Sequence, residues 1–109
     1  HEQDIFINVI GGMKIDEPAS DLAMALAMAS SYHDKPMPQD MVVVGEIGLS
    51  GELRAVAQLP ARLYEASKLG FKRALIPKLR RKMPDLPPDL KLVEVRHVGE
   101  AMAIAVPKD

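Results

Sequence analysis

A reactive side chain in this sequence would sit in Asp16-Glu17-Pro18-Ala19-Ser20-Asp21, which runs into the apolar segment Leu22 to Ser31. Pro18 fixes its own φ and biases Glu17 toward an extended conformation, so no helix can run in from Lys14 and Ile15. Ser20 supplies the hydroxyl of this stretch. A hydroxyl nucleophile needs a neighbouring base, and the nearest lysine in sequence is Lys14. Ser20 also has an ordinary use as the N-cap or first-turn residue of the helix that follows, with Asp16, Glu17 and Asp21 near the positive end of its dipole. Glu46 is a single carboxylate without a partner for acid–base work, which points to a structural role. His1, His33 and His97 are scattered, with no cluster at metal-ligand spacing, so no metal site is expected. Gly11-Gly12 lacks the Gly-Lys-Ser/Thr continuation of a phosphate loop, and ATP chemistry is not expected in this segment.

Cations concentrate in Lys72-Arg73 and in Lys78-Leu79-Arg80-Arg81-Lys82. Lys72, Arg73, Lys78, Arg80, Arg81 and Lys82 are therefore the DNA-binding candidates, since Lys and Arg neutralise phosphates without reading sequence. The plain alternative is a solvated turn. No aromatic residue is interleaved to stack on single strands.

The elements that must position these residues follow from composition and pattern. A chain of 109 residues, 48% hydrophobic and 27% charged, is expected to form one domain, residues 1–109. Aromatics make up only 4%, so the core must be aliphatic, Ala and Met. A net charge of -1 gives no global pull toward nucleic acid or membrane, and any such contact has to come from a local patch. The absence of cysteine excludes disulfides, a thiol nucleophile and thiolate metal sites, and is compatible with a reducing cytoplasm. No signal peptide or membrane-spanning run is seen. The chain starts at His1, without Met, and reads as a strand almost at once; the expectation is a fragment of something longer.

In order, Asp4 to Ile10 predicts a strand, Gly11-Gly12 a break, and Met13 to Ile15 a second short strand. Leu22 to Ser31 has no polar face, which predicts a core helix buried all round. Met41 to Val44 reads as a strand covered on both faces. Gly48 to Gly51 is turn chemistry, and Glu52 to Val56 returns as the partner strand of a hairpin. Gln58 to Leu69 is a second helix, with Leu59, Leu63, Ala66 and Leu69 on one face and Gly70 closing it. Arg73 to Ile76 is a strand, Lys78 to Lys82 a single helical turn, Leu90 to Val95 the last strand, and Val98 to Val106 a short helix. The class is α+β, or a mixed α/β sandwich.

The lead-in, the small-residue helix and then Gly45-Glu46-Ile47-Gly48-Leu49-Ser50-Gly51 resemble the proteolytic domain of Lon proteases. With Asn8-Val9-Ile10-Gly11-Gly12, Pro38-Gln39-Asp40 and Ala66-Ser67-Lys68-Leu69-Gly70-Phe71-Lys72-Arg73-Ala74, the chain resembles more closely the Lon-like C-terminal domain of RadA-type (Sms) DNA-repair ATPases. The resemblance runs from about Asp4 to Val106, and the order and spacing of the motifs carry it. It implies a ribosomal-protein-S5-domain-2-like fold and the Lon Ser-Lys dyad positions. The nucleophile position falls on Ala19, the lysine position on Arg62, and the threonine that supports the lysine on Val44. Ala19 has no nucleophilic atom, an arginine keeps its proton at any accessible pH, and Val44 cannot hydrogen-bond a base. The dyad is absent, so this domain is expected not to be an enzyme. Arg62 either pairs with Asp16 or Glu17 or faces a neighbouring subunit, or else it is a solvated helix residue.

The resemblance further implies a hexameric ring and a motor that moves on DNA in homologous recombination with RecA in the cytoplasm. ATP, Mg²⁺ and a four-cysteine zinc finger would belong to upstream parts, leaving no cofactor in this segment. The alternatives are a divergent serine peptidase on Ser20, or a module that binds a peptide in the vacated dyad cleft between the core helix and the Gly45 hairpin.

Overall fold

Burial along Met41-Val42-Val43-Val44 is complete, and successive side chains enter different cores. This is the pattern of a strand covered on both sides. The computed structural model describes residues 17–107. Their elements are a 3₁₀ turn Pro18–Ser20, then α1 (Asp21–His33), β1 (Met41–Val43), β2 (Glu46–Ile47) and β3 (Leu53–Arg54). These are followed by α2 (Leu59–Lys68), β4 (Arg73–Pro77), β5 (Lys91–Val95) and α3 (Val98–Ala105). Strands β1, β4 and β5 form a parallel sheet in that order, with Met41 beside Arg73 and Pro77 beside Val95. Parallel neighbours need a crossover, and α2 lies in the one between β1 and β4.

One face of the sheet (Met41, Val43, Leu75, Val95) packs on Leu22, Ala23 and Leu26 of α1 and on Ala101 and Ala105 of α3. The other face (Val42, Val44, Ala74, Ile76) packs on Leu59, Leu63 and Ala66 of α2. Each fully buried Leu, Ile or Val contributes about 1.5–3 kcal/mol. The architecture is a mixed α+β fold built as helices on both faces of a parallel sheet, with a small antiparallel hairpin attached. The strands expected at Asp4 to Ile10 and Met13 to Ile15 lie outside the described residues.

Three expectations are corrected. Helix α1 is not buried all round: Met28 is 67% exposed and Tyr32 85% exposed, because α1 is an outer layer that buries Leu22, Ala23, Leu26 and Ala27 and turns its other side to solvent. The turn of helix at Lys78 to Lys82 does not form. The Lys78 N–H donates to the Val95 carbonyl at 2.8 Å and the Leu79 N–H to Glu94 Oε1 at 2.8 Å, which ties the segment to β5 instead of to itself. The return strand of the hairpin is only Leu53–Arg54, where Glu52 to Val56 was expected.

The hairpin is clamped at its turn. Val98 N–H donates to the Gly51 carbonyl (2.9 Å) and Leu53 N–H to the Arg96 carbonyl (2.9 Å). His97 Nδ1 accepts from Gly99 N–H at 3.0 Å, so Nε2 is the nitrogen that donates to the Ser50 carbonyl, also 3.0 Å away. Gly51 has φ +82, and a Cβ there would lie 2.6 Å from His97 Nε2. Gly51→Ala is therefore expected to lower the unfolding free energy by about 2 kcal/mol through left-handed backbone and crowding. Chemical denaturation reads this, and an unchanged midpoint would mean that the clamp is not tight.

Candidate functional site

The helix lead-in crosses the end of the sheet. Ala19 belongs to the core on the α2 side and Leu22 to the core on the α1 side. Between them the backbone is joined to Gly45, whose N–H donates to the Ala19 carbonyl (2.9 Å) and whose carbonyl accepts from Leu22 N–H (3.0 Å). At Gly45 the core helix and the hairpin segment are in direct contact, since an added Cβ would meet Leu22 Cδ2 at 3.2 Å. Asp21 Oδ2 accepts from Ile47 N–H at 3.1 Å and braces the hairpin against the start of α1.

The three positions to which the Lon resemblance assigns a dyad are Ala19, Val44 and Arg62. Ala19 and Val44 are buried in the same apolar cluster as Leu59 and Leu63 of α2, the helix that also carries Arg62. Arg62 is 18% exposed at its side chain; its Nη2 pairs with Glu17 Oε1, and its Nε donates to the Ala57 carbonyl at 3.0 Å. Of the two readings of Arg62, the paired one is the observed one. Asp16, the other partner considered, lies outside the described residues. Ser20 is at the N-cap of α1 but does not cap it: its backbone is already helical, and its fully buried hydroxyl donates back to the Glu17 carbonyl at 2.7 Å. The 3₁₀ turn set by Pro18 tightens the chain before the cap and turns this hydroxyl away from the helix.

The six basic candidates do not form one patch. Lys72 and Arg73 stand at the start of β4 and Lys78 to Lys82 follow its end, so about 16 Å of strand separates them. Arg73 is engaged by Asp40 through Nε–Oδ2 (3.1 Å) and Nη2–Oδ1 (2.6 Å). This bidentate pair, led by the hydrogen bond from Arg73, holds the Asp40 carboxyl below its ordinary value. Lys78 Nζ lies 3.7 Å from Glu94 Oε1. Arg80, Arg81 and Lys82 are exposed, and none forms an ion pair among the described residues.

The second group borders a feature the linear pattern does not display. A groove of about 240 Å³ is floored by Ala55, Val56, Leu59, Pro77, Leu79 and Met83 and flanked by Lys78, Arg80 and Arg81. It lies where β4 ends, on the edge where parallel strands deliver their C-termini and open α/β sheets bind ligands. The signal available in sequence was Leu79 and Met83 among the charges, but their partners come from the loop after β3, from α2 and from β4. The hairpin carries its own charges. The carboxyl of Glu52 is held low first by its own N–H and that of Ser50, with Arg54 adding to it. Among the described residues no three His, Cys, Asp or Glu side chains come together as a metal site. None of the described helices is long and apolar enough to cross a membrane.

A parallel sheet between helices, with a hairpin braced against the lead-in, places the chain among mixed α/β domains. It belongs to the family described as subunit ChlI of Mg-chelatase, whose model matches residues 1–80. Within that class its relatives are DNA repair proteins named RadA, as the sequence motifs indicated. The chain is 48% identical to RadA of Listeria monocytogenes over 105 residues, covering 96% of this chain and 23% of that protein. Against RadA of Aquifex aeolicus the identity is 48% over 103 residues, with 94% and 22% covered. Against RadA of Escherichia coli it is 43% over 105 residues, with the same shares covered. The chain thus spans less than a quarter of the length of the curated relatives it matches.

Two measurements probe this geometry. Arg62→Ala removes the hydrogen bonds to Glu17 and Ala57 and is expected to cost about 1–2 kcal/mol in chemical denaturation. Arg62→Lys, which cannot hold both partners, should recover only part of this. Because the folded Asp40 carboxyl is depressed, the stability from its pair is present above its ordinary value of 3.8 and is lost as pH falls through the lower folded value. The gap in thermal midpoint between the wild type and Asp40→Asn should be full at pH 7 and close on acidification below that value. A gap independent of pH would remove the pair as its cause.

Proposed function

We propose that this chain is a Lon-like domain without peptidase activity, part of a RadA-type DNA-repair ATPase, and that it contacts DNA. The observation that carries the DNA contact is the exposed set Arg80, Arg81 and Lys82, without ion pairs among the described residues, beside Lys78 at the C-terminal edge of the sheet. The likeness to proteins named for DNA repair supports DNA as the partner of that surface. Lys72 and Arg73 take a lesser part, since Arg73 is occupied by Asp40. In the whole protein, ATP, Mg²⁺ and zinc would be held outside this segment. The domain would help to form a homo-oligomeric, hexameric ring acting in homologous recombination with RecA in the cytoplasm.

The absence of peptidase activity is supported by the dyad positions. Ala19 and Val44 fill apolar core, and Arg62 is held by Glu17 and the Ala57 carbonyl. For a peptidase on Ser20, the hydroxyl would first have to leave its bond to the Glu17 carbonyl and reach solvent.

The test is binding of fluorescent single- and double-stranded DNA to the chain across a salt series, with molecular mass recorded in parallel. Changing Lys78, Arg80, Arg81 and Lys82 to Ala should abolish salt-sensitive binding, each cation having contributed roughly one unit of the log–log salt slope. Lys72→Ala should leave affinity nearly unchanged. Binding that survives the four changes would overturn this assignment of the DNA surface.

A further inference from the structure

The groove beside the cations has a chemistry of its own. Its floor side chains are aliphatic apart from the thioether of Met83, so a nucleobase edge would find no more than a weak acceptor there and no ring to stack on. At about 240 Å³ it is smaller than the roughly 300–1,000 Å³ pockets that hold drug-sized ligands, and it suits a single bulky apolar side chain. Around that floor, Arg80 and Arg81 project without ion pairs among the described residues, and Lys78 is held only at 3.7 Å by Glu94. An occupant suited to this lining combines one apolar anchor with negative charge beside it.

We infer that this groove docks an acidic peptide segment of a partner protein, with one bulky apolar residue seated over Val56, Leu59 and Met83 and flanking carboxylates on Lys78, Arg80 and Arg81. The division of labour is the usual one at interfaces: a buried anchor gives affinity and outer charges give encounter rate and register. Arginine suits the task because its planar fork takes a carboxylate through two hydrogen bonds. The inference does not depend on the DNA contact but shares three of its cations. These cannot pair with carboxylates and phosphates at once, so an acidic peptide and DNA would compete.

The experiment uses a fluorescent peptide of alternating Asp and Gly with one central Phe, and a copy with Ala in place of Phe. Titration into the 109-residue chain is combined with spectra of ¹³C-methyl methionine. The Phe peptide should bind about tenfold or more tightly than the Ala copy, shift the Met83 methyl resonance and leave that of Met28, on the outer face of α1, in place. Arg80→Ala with Arg81→Ala should weaken the peptide about tenfold at low salt. Ala55→Phe, which fills the groove and leaves every charge in place, should erase the advantage of Phe and spare binding to duplex DNA. The methyl spectra of the unaltered chain make the test independent of whether that variant folds. Equal binding of the two peptides would overturn the inference. So would a Met83 shift produced by oligothymidylate but not by the peptide, which would give the groove to nucleic acid. A Met83 shift that follows protein concentration and a rising mass would give it to a second copy of the chain.

Discussion

The contact at Gly45 governs the arrangement of the whole domain. Here the chain leaves β1 and meets the start of α1, and backbone groups on both sides exchange hydrogen bonds across a gap with little room for a side chain. The exchange satisfies one of the N–H groups that a helix start leaves over. It also fixes where the lead-in passes over the sheet, so that Ala19 falls into one core and Leu22 into the other. Glu17 is thereby carried to Arg62, and Asp21 to the backbone of Ile47. One close approach sets the helix, the hairpin and the packing around Ala19 and Val44.

Those positions are occupied by stabilising structure. Ala19 and Val44 fill the apolar core beside α2, and Arg62 pairs with Glu17. A half-buried arginine held at both Nε and Nη2 is a fixed strut, whereas a catalytic lysine would need an amine free to take a proton. Exposed chemistry lies further along the same edge of the sheet, where a buried proline ends β4 and the chain turns into a run of cations.

Much of this order was legible in the primary sequence. Uninterrupted apolar residues marked β1, the spacing of Leu59, Leu63 and Ala66 marked α2, and the glycines around Leu49 and Ser50 marked the hairpin turn, because each depends on local period or backbone freedom. The likeness to RadA proteins was legible as well, through the order of short motifs. The exposed side of α1 was not legible, since alanine and methionine fit either environment and the layer order decides which they meet. The failure of Lys78 to Lys82 to coil was equally hidden. Its cause is Glu94 and Val95, on a strand more than a dozen residues later.

The sequence by itself determined which atoms were available: no thiol, no hydroxyl at position 19, an arginine at 62, and a cluster of cations after Pro77. Residue type decides such matters wherever the chain goes. Tertiary structure alone decided which of these atoms meet. It gave Arg62 to Glu17 and Arg73 to Asp40, turned the Ser20 hydroxyl inward, split the cations by the length of β4, and set Arg80 and Arg81 beside an apolar groove. The physical reason is that ion pairs and grooves form between elements distant in sequence. Their geometry is fixed by how helices and strands pack, which no local pattern encodes.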